Sequence, residues 1–146
     1  MGEGCEKDEK LAFEHYTRAA ELGNATALYR LATCYDNGIG TEQNFANAFK
    51  YYEKAAAAGC AEAMYESGMM SKSGRGTKKD AAAAYKMFSA AAMAGYSDAE
   101  YEVGNCYFDG VGTIRNRENA YLRYNLAFEA DNNNGKAVFK IGLCNL

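Results

Sequence analysis

The chain repeats itself at a fixed step of 36 residues. The stretch CYDNGIGT at residues 34–41 returns as MSKSGRGT at residues 70–77 and as CYFDGVGT at residues 106–113. A period in this range is typical of solenoids, in which each repeat buries its apolar side only against its neighbours. Small and aromatic residues keep the same step: Gly23, Gly59 and Gly95; Ala27, Ala63 and Ala99; Ala48, Ala84 and Ala120; Tyr52, Phe88 and Tyr124; Ala55, Ala91 and Ala127.

Each unit is predicted to be a pair of helices, A and B. In the first unit, helix A carries apolar and small residues at helical spacing from Ala27 to Tyr35. A Gly-x-Gly turn follows, and helix B begins near Asn44, whose side chain can accept an N–H of the first helical turn. The register predicts full units at 24–59, 60–95 and 96–131, a partial unit with helix B at 8–22 and a partial unit with helix A at 134–146.

The composition agrees with one helical domain and excludes several classes of function. The 146 residues include no proline, 49% are hydrophobic and 24% are charged. The net charge of -3 argues against a nucleic-acid binder, which needs a basic surface. No stretch reaches the roughly 18 apolar residues of a membrane span, and the start MGEGCEKDEK lacks the apolar segment of a signal peptide. We therefore expect a cytoplasmic protein that does not act at a membrane.

Candidate catalytic and metal-binding residues are few. The chain has five cysteines, scattered along the sequence, and one histidine, His15. A metal site needs clustered ligands and a cysteine nucleophile needs a nearby base, so the sequence predicts no metal, no cofactor and no catalytic residue. The Gly-x-Gly-Thr turns follow a helix and do not continue into Gly-Lys-Ser/Thr, which favours a turn over a phosphate site.

The repeat resembles the Sel-1-like repeat family, whose members are relatives of the tetratricopeptide repeat. The match is carried by ALYRLATCYDNGIGTEQNFANAFKYYEKAAAAG at residues 27–59 and by the starts AMYESGMMSKSGRG and AEYEVGNCYFDGVG of the next two units. The resemblance implies an all-α, right-handed superhelical solenoid of antiparallel helix pairs that acts as a protein–protein interaction scaffold. In a secreted branch of the family, disulfide-bonded cysteines would fall near Ala56 and Ala63, so that branch's disulfides are not expected here.

In the tetratricopeptide-like arrangement that the resemblance implies, one side of each helix A lines a concave groove. That side is acidic in the middle of the array, and this charge favours a partner protein or peptide with basic residues. An ordinary solvated face is the alternative explanation of the same charges. The candidate groove residues are Arg30, Asn37, Glu62, Tyr65, Glu66, Met69, Asp98, Tyr101, Glu102, Asn105 and Asp109.

Two other functions stay open at this point: a hydrolase or cell-wall-acting member of the family, and a structural spacer within a larger repeat protein. The last helix A contains FKIGLC at residues 139–144, which is apolar for an end that a solenoid caps with polar residues. This pattern predicts either that the array continues or that the end packs on another chain, as in end-to-end self-association.

The middle unit has small polar residues where its neighbours have large ones. Ser67 replaces a leucine or valine of the other two units, and Ser71 replaces their tyrosine. A hole left by such a replacement costs about 2–5 kcal/mol. We expect Met69 and Met70 to fill the space, because methionine adapts to irregular gaps, and helix A of this unit to be the softest part of the array.

Overall fold

Within residues 3–146, which the computed structural model describes, the chain forms eight α-helices and no strand. This arrangement confirms the all-α prediction. The even-numbered helices are A helices and the odd-numbered ones are B helices, and each unit is an A helix with the B helix that follows it. The helices are α1 (Glu3–Glu21), α2 (Ala25–Asn37), α3 (Phe45–Ala57), α4 (Ala61–Ser73), α5 (Ala81–Met93), α6 (Asp98–Asp109), α7 (Arg117–Ala130) and α8 (Gly135–Cys144).

The helices are stacked in chain order. Each one packs mainly against the helix before it and the helix after it, and the largest contacts lie within units 1, 2 and 3, the pairs α2–α3, α4–α5 and α6–α7. Contacts of this kind, between neighbouring elements only, define a solenoid. The helical-repeat solenoid predicted from the 36-residue step is therefore confirmed.

Side-chain caps fix the start of the B helices where the sequence predicts it. Asn44, Asp80 and Asn116 each accept a hydrogen bond, 3.0 Å long, from the backbone N–H three residues later. Such caps satisfy donors that have no partner inside the helix. The preceding A helices end at glycines with a left-handed backbone: Gly38, Gly74 and Gly110.

The second glycine of each Gly-x-Gly turn touches the preceding B helix. A Cβ on Gly40 would overlap the backbone carbonyl of Glu9 in α1, and a Cβ on Gly76 would overlap that of Phe45 in α3. Both glycines also have positive φ angles, +71° and +72°. The close approach of the turn to the helix therefore accounts for the recurrence of this glycine in every unit.

Three aromatic residues of the B helices form the centre of the units. Tyr52, Phe88 and Tyr124 are at most 2% exposed. The opposing A helices of units 2 and 3 place a glycine against the ring, and a Cβ on Gly104 would lie 2.6 Å from the ring of Tyr124. The alanines of the repeat are buried as predicted: Ala27, Ala48, Ala55, Ala63, Ala84, Ala91, Ala99, Ala120 and Ala127.

The middle unit departs from its prediction. Ser67 and Ser71 are buried in α4, yet a pocket of about 360 Å³ remains beside them. The prediction that Met69 and Met70 fill this space is wrong. Met70 is fully buried in the core that unit 1 shares with α4, and Met69 packs against a different cluster of residues from α5 and α6.

Candidate partner-binding groove

The candidate groove residues lie on three A helices, α2, α4 and α6, and their exposure differs. Every candidate side chain except that of Glu102 is exposed or half-buried and so is accessible to a partner. The exposed members are Arg30, Asn37, Glu62, Asp98 and Asp109, and the half-buried members are Tyr65, Glu66, Met69, Tyr101 and Asn105.

Two ion pairs join consecutive A helices. Lys72 Nζ in α4 lies 2.8 Å from Glu102 Oε2 in α6. Arg75, just after α4, reaches back to Asp36 in α2, with 3.4 Å between Nη2 and Oδ2. Neither base could be found from the sequence, because the spacing within a unit does not show which side chains meet between units. The available signal was two bases at the end of α4, with an acidic residue on each of the neighbouring A helices, Asp36 on α2 and Glu102 on α6.

Glu102 departs from the expectation of a solvent-facing acid. It is only 8% exposed, and its partner Lys72 supplies the charge that a buried carboxylate needs. The middle of the groove is therefore less acidic than the sequence indicates. The groove carboxylates that form no ion pair with another described residue are Glu62, Glu66, Asp98 and Asp109.

Glu66 in α4 is half-buried, and none of the ion pairs or hydrogen bonds among residues 4–146 includes its carboxylate. Burial raises the pKa of this carboxyl above its ordinary value of 4.5. The negative charge of Asp36 raises the pKa further, and the positive charge of Arg75 acts in the opposite direction. The ionised form of Glu66 is therefore destabilised in the protein as it stands.

The negative charge of Glu66 contributes to the raised pKa of three tyrosines, Tyr29, Tyr65 and Tyr96. The rings of Tyr65 and Tyr96 lie 5.0 Å apart. Burial, followed by nearby carboxylates, raises the pKa of Tyr65 to about 12, so its hydroxyl stays neutral. We call this part of the groove the acidic–aromatic patch; it consists of Tyr29, Glu62, Tyr65, Glu66, Tyr96 and Asp98.

Two pockets open along α6. One, of about 530 Å³, lies between the acidic–aromatic patch and the start of α8, and Tyr65, Asp98 and Lys136 line it. The other, of about 360 Å³, has Phe88 and Tyr101 among its walls and Lys72, Glu102, Asn105, Asp109 and Lys140 among its polar residues. Of the candidate residues of unit 2, only Tyr65 lines one of these two pockets, together with Asp98, Tyr101 and Glu102 of unit 3.

Arg30 and Asn37 line neither of these pockets. The guanidinium of Arg30 lies over the ring of Tyr29, 5.9 Å from its centroid. The side-chain amide of Asn37 donates to the carbonyl of Thr33. These two residues therefore border the groove rather than its pockets.

The two buried cysteines, Cys34 and Cys106, do not have the properties of nucleophiles. Burial raises the pKa of the Cys34 thiol, and burial together with the charge of Glu102 raises that of Cys106 to about 11. Both thiols are thus protonated at neutral pH, whereas a reactive cysteine is a thiolate. His15 is exposed on α1.

The described residues also bear on metal binding and on membrane insertion. Across the described residues, no three histidine, cysteine, aspartate or glutamate side chains are grouped as a metal ion would require. No helix in this part of the chain has the length and apolar character to span a membrane.

The sequence profile of one family covers nearly the whole chain. The Sel1 repeat matches at residues 1–24, 25–60, 61–96 and 97–132. The chain belongs to the Sel1 repeat family. This confirms the resemblance, and Sel1 repeat proteins generally act as scaffolds for protein interactions. A search of curated proteins gave no match.

Solved structures of Sel1-type proteins share this fold. A Sel1 repeat protein from Oxalobacter formigenes aligns with a TM-score of 0.84 and 31% identity, over 94% of this chain and 56% of that one. The protective antigen c5321 of uropathogenic Escherichia coli, which displays an SLR fold, aligns with a TM-score of 0.78 and 37% identity, over 80% of this chain and 25% of that one. This chain thus spans about half of the first relative and a quarter of the second.

A more distant structure agrees in fold alone. The cysteine rich protein B of Helicobacter pylori aligns with a TM-score of 0.69 and 23% identity, over 92% of this chain and 95% of that one. In the chain described here, all five cysteines are free thiols.

Proposed function

We propose that this Sel1 repeat protein is a scaffold whose groove along the A helices binds a protein or peptide through basic side chains. The observation that carries the proposal is Glu66, a half-buried carboxylate with a raised pKa that forms no ion pair with another described residue and whose charge contributes to the raised pKa of Tyr65 and Tyr96. A guanidinium or ammonium group placed there would pair with the carboxylate and offset its repulsion from Asp36. The same cation would gain from the faces of the tyrosine rings.

The exposed carboxylates of the patch support the same partner chemistry. Glu62 on α4 and Asp98 on α6 are exposed, and the charge of Asp98 contributes to the raised pKa of Tyr65. Charges at such a rim raise the rate of encounter with an oppositely charged partner more than they raise affinity. Binding is therefore expected to weaken as salt is added.

Charge reversal in the patch, with a matched control elsewhere, tests the proposal. Isothermal titration with a short peptide of alternating arginine and serine gives the wild-type affinity, and a peptide of alternating glutamate and serine gives the background. Glu62→Lys with Glu66→Lys is expected to weaken the arginine peptide about tenfold or more. The control, Glu118→Lys with Glu129→Lys, changes the net charge equally at exposed positions of α7.

Equal losses in the two double variants would mean that the peptide responds to net charge alone, and the groove proposal would fail. Glu102 is left unchanged in this experiment. It is buried against Lys72, so reversing its charge would disturb the packing of α6 as well as the groove.

A second surface supports self-association as part of the proposal. Helix α8 exposes Val138 (51%) and Phe139 (67%), and no atom lies within 4 Å of where a Cβ of Gly142 would be. In units 2 and 3 the equivalent glycines receive an aromatic ring from the following B helix. Light scattering across a concentration series is expected to show dimers that Phe139→Glu abolishes; a monomer at every concentration would exclude this association.

The free thiols support a cytoplasmic setting for this interaction. Cys34 and Cys106 are buried and form no disulfide, as is usual for cysteines in a reducing compartment. A hydrolase or cell-wall-acting function is not favoured, because Sel1 repeat proteins generally act as scaffolds for protein interactions. Nothing specific favours a plain spacer role either.

A further inference from the structure

A tyrosine of helix A fills the same slot in units 1 and 3. In unit 1, the ring of Tyr35 packs edge-on against Phe13 of the preceding B helix, with centroids 5.5 Å apart. It also stacks on Tyr51 of its own B helix, at 5.7 Å and an interplanar angle of 4°. The slot is therefore the space between two successive B helices, and an aromatic side chain from helix A occupies it.

Unit 3 repeats this arrangement. The ring of Tyr107 packs edge-on against Tyr85, with centroids 5.7 Å apart, and the two hydroxyls lie 2.8 Å from each other. Tyr85 stands one repeat after Phe49, which itself stands one repeat after Phe13. The hydroxyl of Tyr107 is therefore hydrogen-bonded to the hydroxyl of Tyr85 within the slot.

Unit 2 has the equivalent slot, but no aromatic side chain of helix A occupies it. Ser71 occupies the tyrosine position, and the walls are Phe49 of α3 and Met87 of α5, which are equivalent to the walls in unit 1. Ser67 deepens the slot, because the other units have leucine or valine there. A pocket of about 360 Å³ results, and both serines line it.

The polar groups of this pocket are consistent with a phenol. Ser67 donates to the carbonyl of Met64. The hydroxyl of Ser71 makes no hydrogen bond to another described residue; because no fully buried side-chain oxygen of these residues lacks a partner, this hydroxyl is open to the pocket. Exposed Lys79 and Asp80 lie at the rim and offer a donor and an acceptor. Phe49, Ala83 and Met87 form the apolar part of the lining, against which a phenol ring can pack. The other lining residues are polar or charged: Glu53, Ser67, Ser71, Thr77, Lys78, Lys79 and Asp80.

We propose that the slot of unit 2 binds a tyrosine side chain presented by a partner protein. The partner's ring replaces the tyrosine that units 1 and 3 provide for themselves, between Phe49 and Met87. The site differs from the groove along the A helices, because Ser67 and Ser71 face the neighbouring B helices and belong to none of the groove positions. The proposal therefore does not depend on the acidic–aromatic patch.

The test uses p-cresol, which is the side chain of tyrosine as a free molecule. Methyl NMR spectra of the methionines are recorded while p-cresol is added to the full chain. The Met87 signal is expected to shift and saturate with a dissociation constant on the order of 1 mM, as suits a ligand of this size. The signal of Met93, 88% exposed on the same helix, is expected to stay in place.

Substitution of Ser71 separates the slot from general aromatic binding. Ser71→Tyr restores the side chain of units 1 and 3, so we expect loss of the Met87 shift and a rise in Tm of roughly 5 °C. Ser73→Tyr places the same ring on an exposed position of α4 and is expected to keep the Met87 shift. Ser71→Leu fills the slot without a phenol and is expected to remove the shift as well.

Three results would overturn the proposal: no saturable shift of Met87, an equal shift of Met93, or an undiminished Met87 shift in the two Ser71 variants. If Ser71→Tyr does not fold, Ser71→Leu gives the same comparison.

Discussion

Lys72 Nζ lies 2.8 Å from the carboxylate of Glu102 and so links α4 to α6, the A helices of units 2 and 3. The two ends of this pair differ in exposure: the side chain of Lys72 is 47% exposed and that of Glu102 is 11% exposed. A carboxylate in such a position depends on its partner, because without the ammonium it would keep its charge away from water.

Removal of Lys72 is therefore expected to cost more than an ordinary surface substitution. Lys72→Ala should lower the free energy of unfolding by about 1–2 kcal/mol, measured by urea denaturation. In a Glu102→Gln background the same substitution should cost little, because no buried charge is left behind. Equal costs in the two backgrounds would show that the pair contributes nothing.

Gly104 and Gly142 hold equivalent places in successive A helices, offset by the two-residue insertion before α8, and form a matched pair of sites. A Cβ on Gly104 would meet the ring of Tyr124 at 2.6 Å, whereas nothing lies within 4 Å of one on Gly142. We expect Gly104→Ala to destabilise the protein by about 1–3 kcal/mol through overpacking. Gly142→Ala should stabilise it by up to about 1 kcal/mol, because alanine favours the helix. Thermal unfolding of both variants checks the contrast.

The parts of the fold that follow from spacing within a unit could be predicted from the sequence. The caps at Asn44 and Asp80 and the buried ring of Phe88 are examples, because each depends on neighbours at fixed positions along a helix. Side-chain contacts between units could not be predicted from the sequence. The pair of Lys72 and Glu102 depends on how one A helix is rotated against the next, and no single-unit pattern contains that angle.

The same limit applies to the middle unit. The smaller side chain of Ser71, compared with the tyrosine of the other units, is evident from the sequence, and methionine was expected to fill the space. Whether Met70 could do so depended on the direction of its side chain, which lies on the side of α4 that packs against unit 1. The open slot between Phe49 and Met87 became visible only when the three units were compared in space.

Gly76 and Gly59 separate the effect of backbone conformation from that of close packing. Both have positive φ angles, +72° and +95°, but only Gly76 lies against the backbone of another helix, at Phe45. Gly59→Ala should cost about 1–2 kcal/mol for its left-handed conformation alone. Gly76→Ala should cost clearly more, because the turn must also move away from α3. Similar unfolding free energies for the two variants would contradict the packing role of the turn.

The raised pKa of Glu66 predicts a pH dependence of stability. Because the pKa of this carboxyl is higher in the folded state than its ordinary value of 4.5, the folded state binds more protons than the unfolded state. Its contribution to stability therefore falls as the pH rises from the unfolded pKa through the folded one. Glu66→Gln has no carboxyl to ionise and should be more stable than the wild type at neutral pH.

Urea denaturation of both proteins across pH checks this expectation. The advantage of Glu66→Gln should shrink as the pH falls toward 4.5 and vanish below it. Glu129→Gln removes an exposed carboxylate from α7 and serves as the control, with a curve parallel to that of the wild type. An advantage of Glu66→Gln that persists unchanged at low pH would show that the carboxylate charge is not its cause.

Helix α4 is expected to be the least protected of the A helices α2, α4 and α6 in hydrogen exchange. Its serines leave a pocket of about 360 Å³ against α3 and α5, so fewer apolar contacts oppose its local opening. Ser71→Tyr should raise the protection of α4 toward that of α2, because the added ring would pack between Phe49 and Met87 as Tyr35 packs in unit 1. Equal protection of the three helices in the wild type would show that the open slot does not weaken the middle unit.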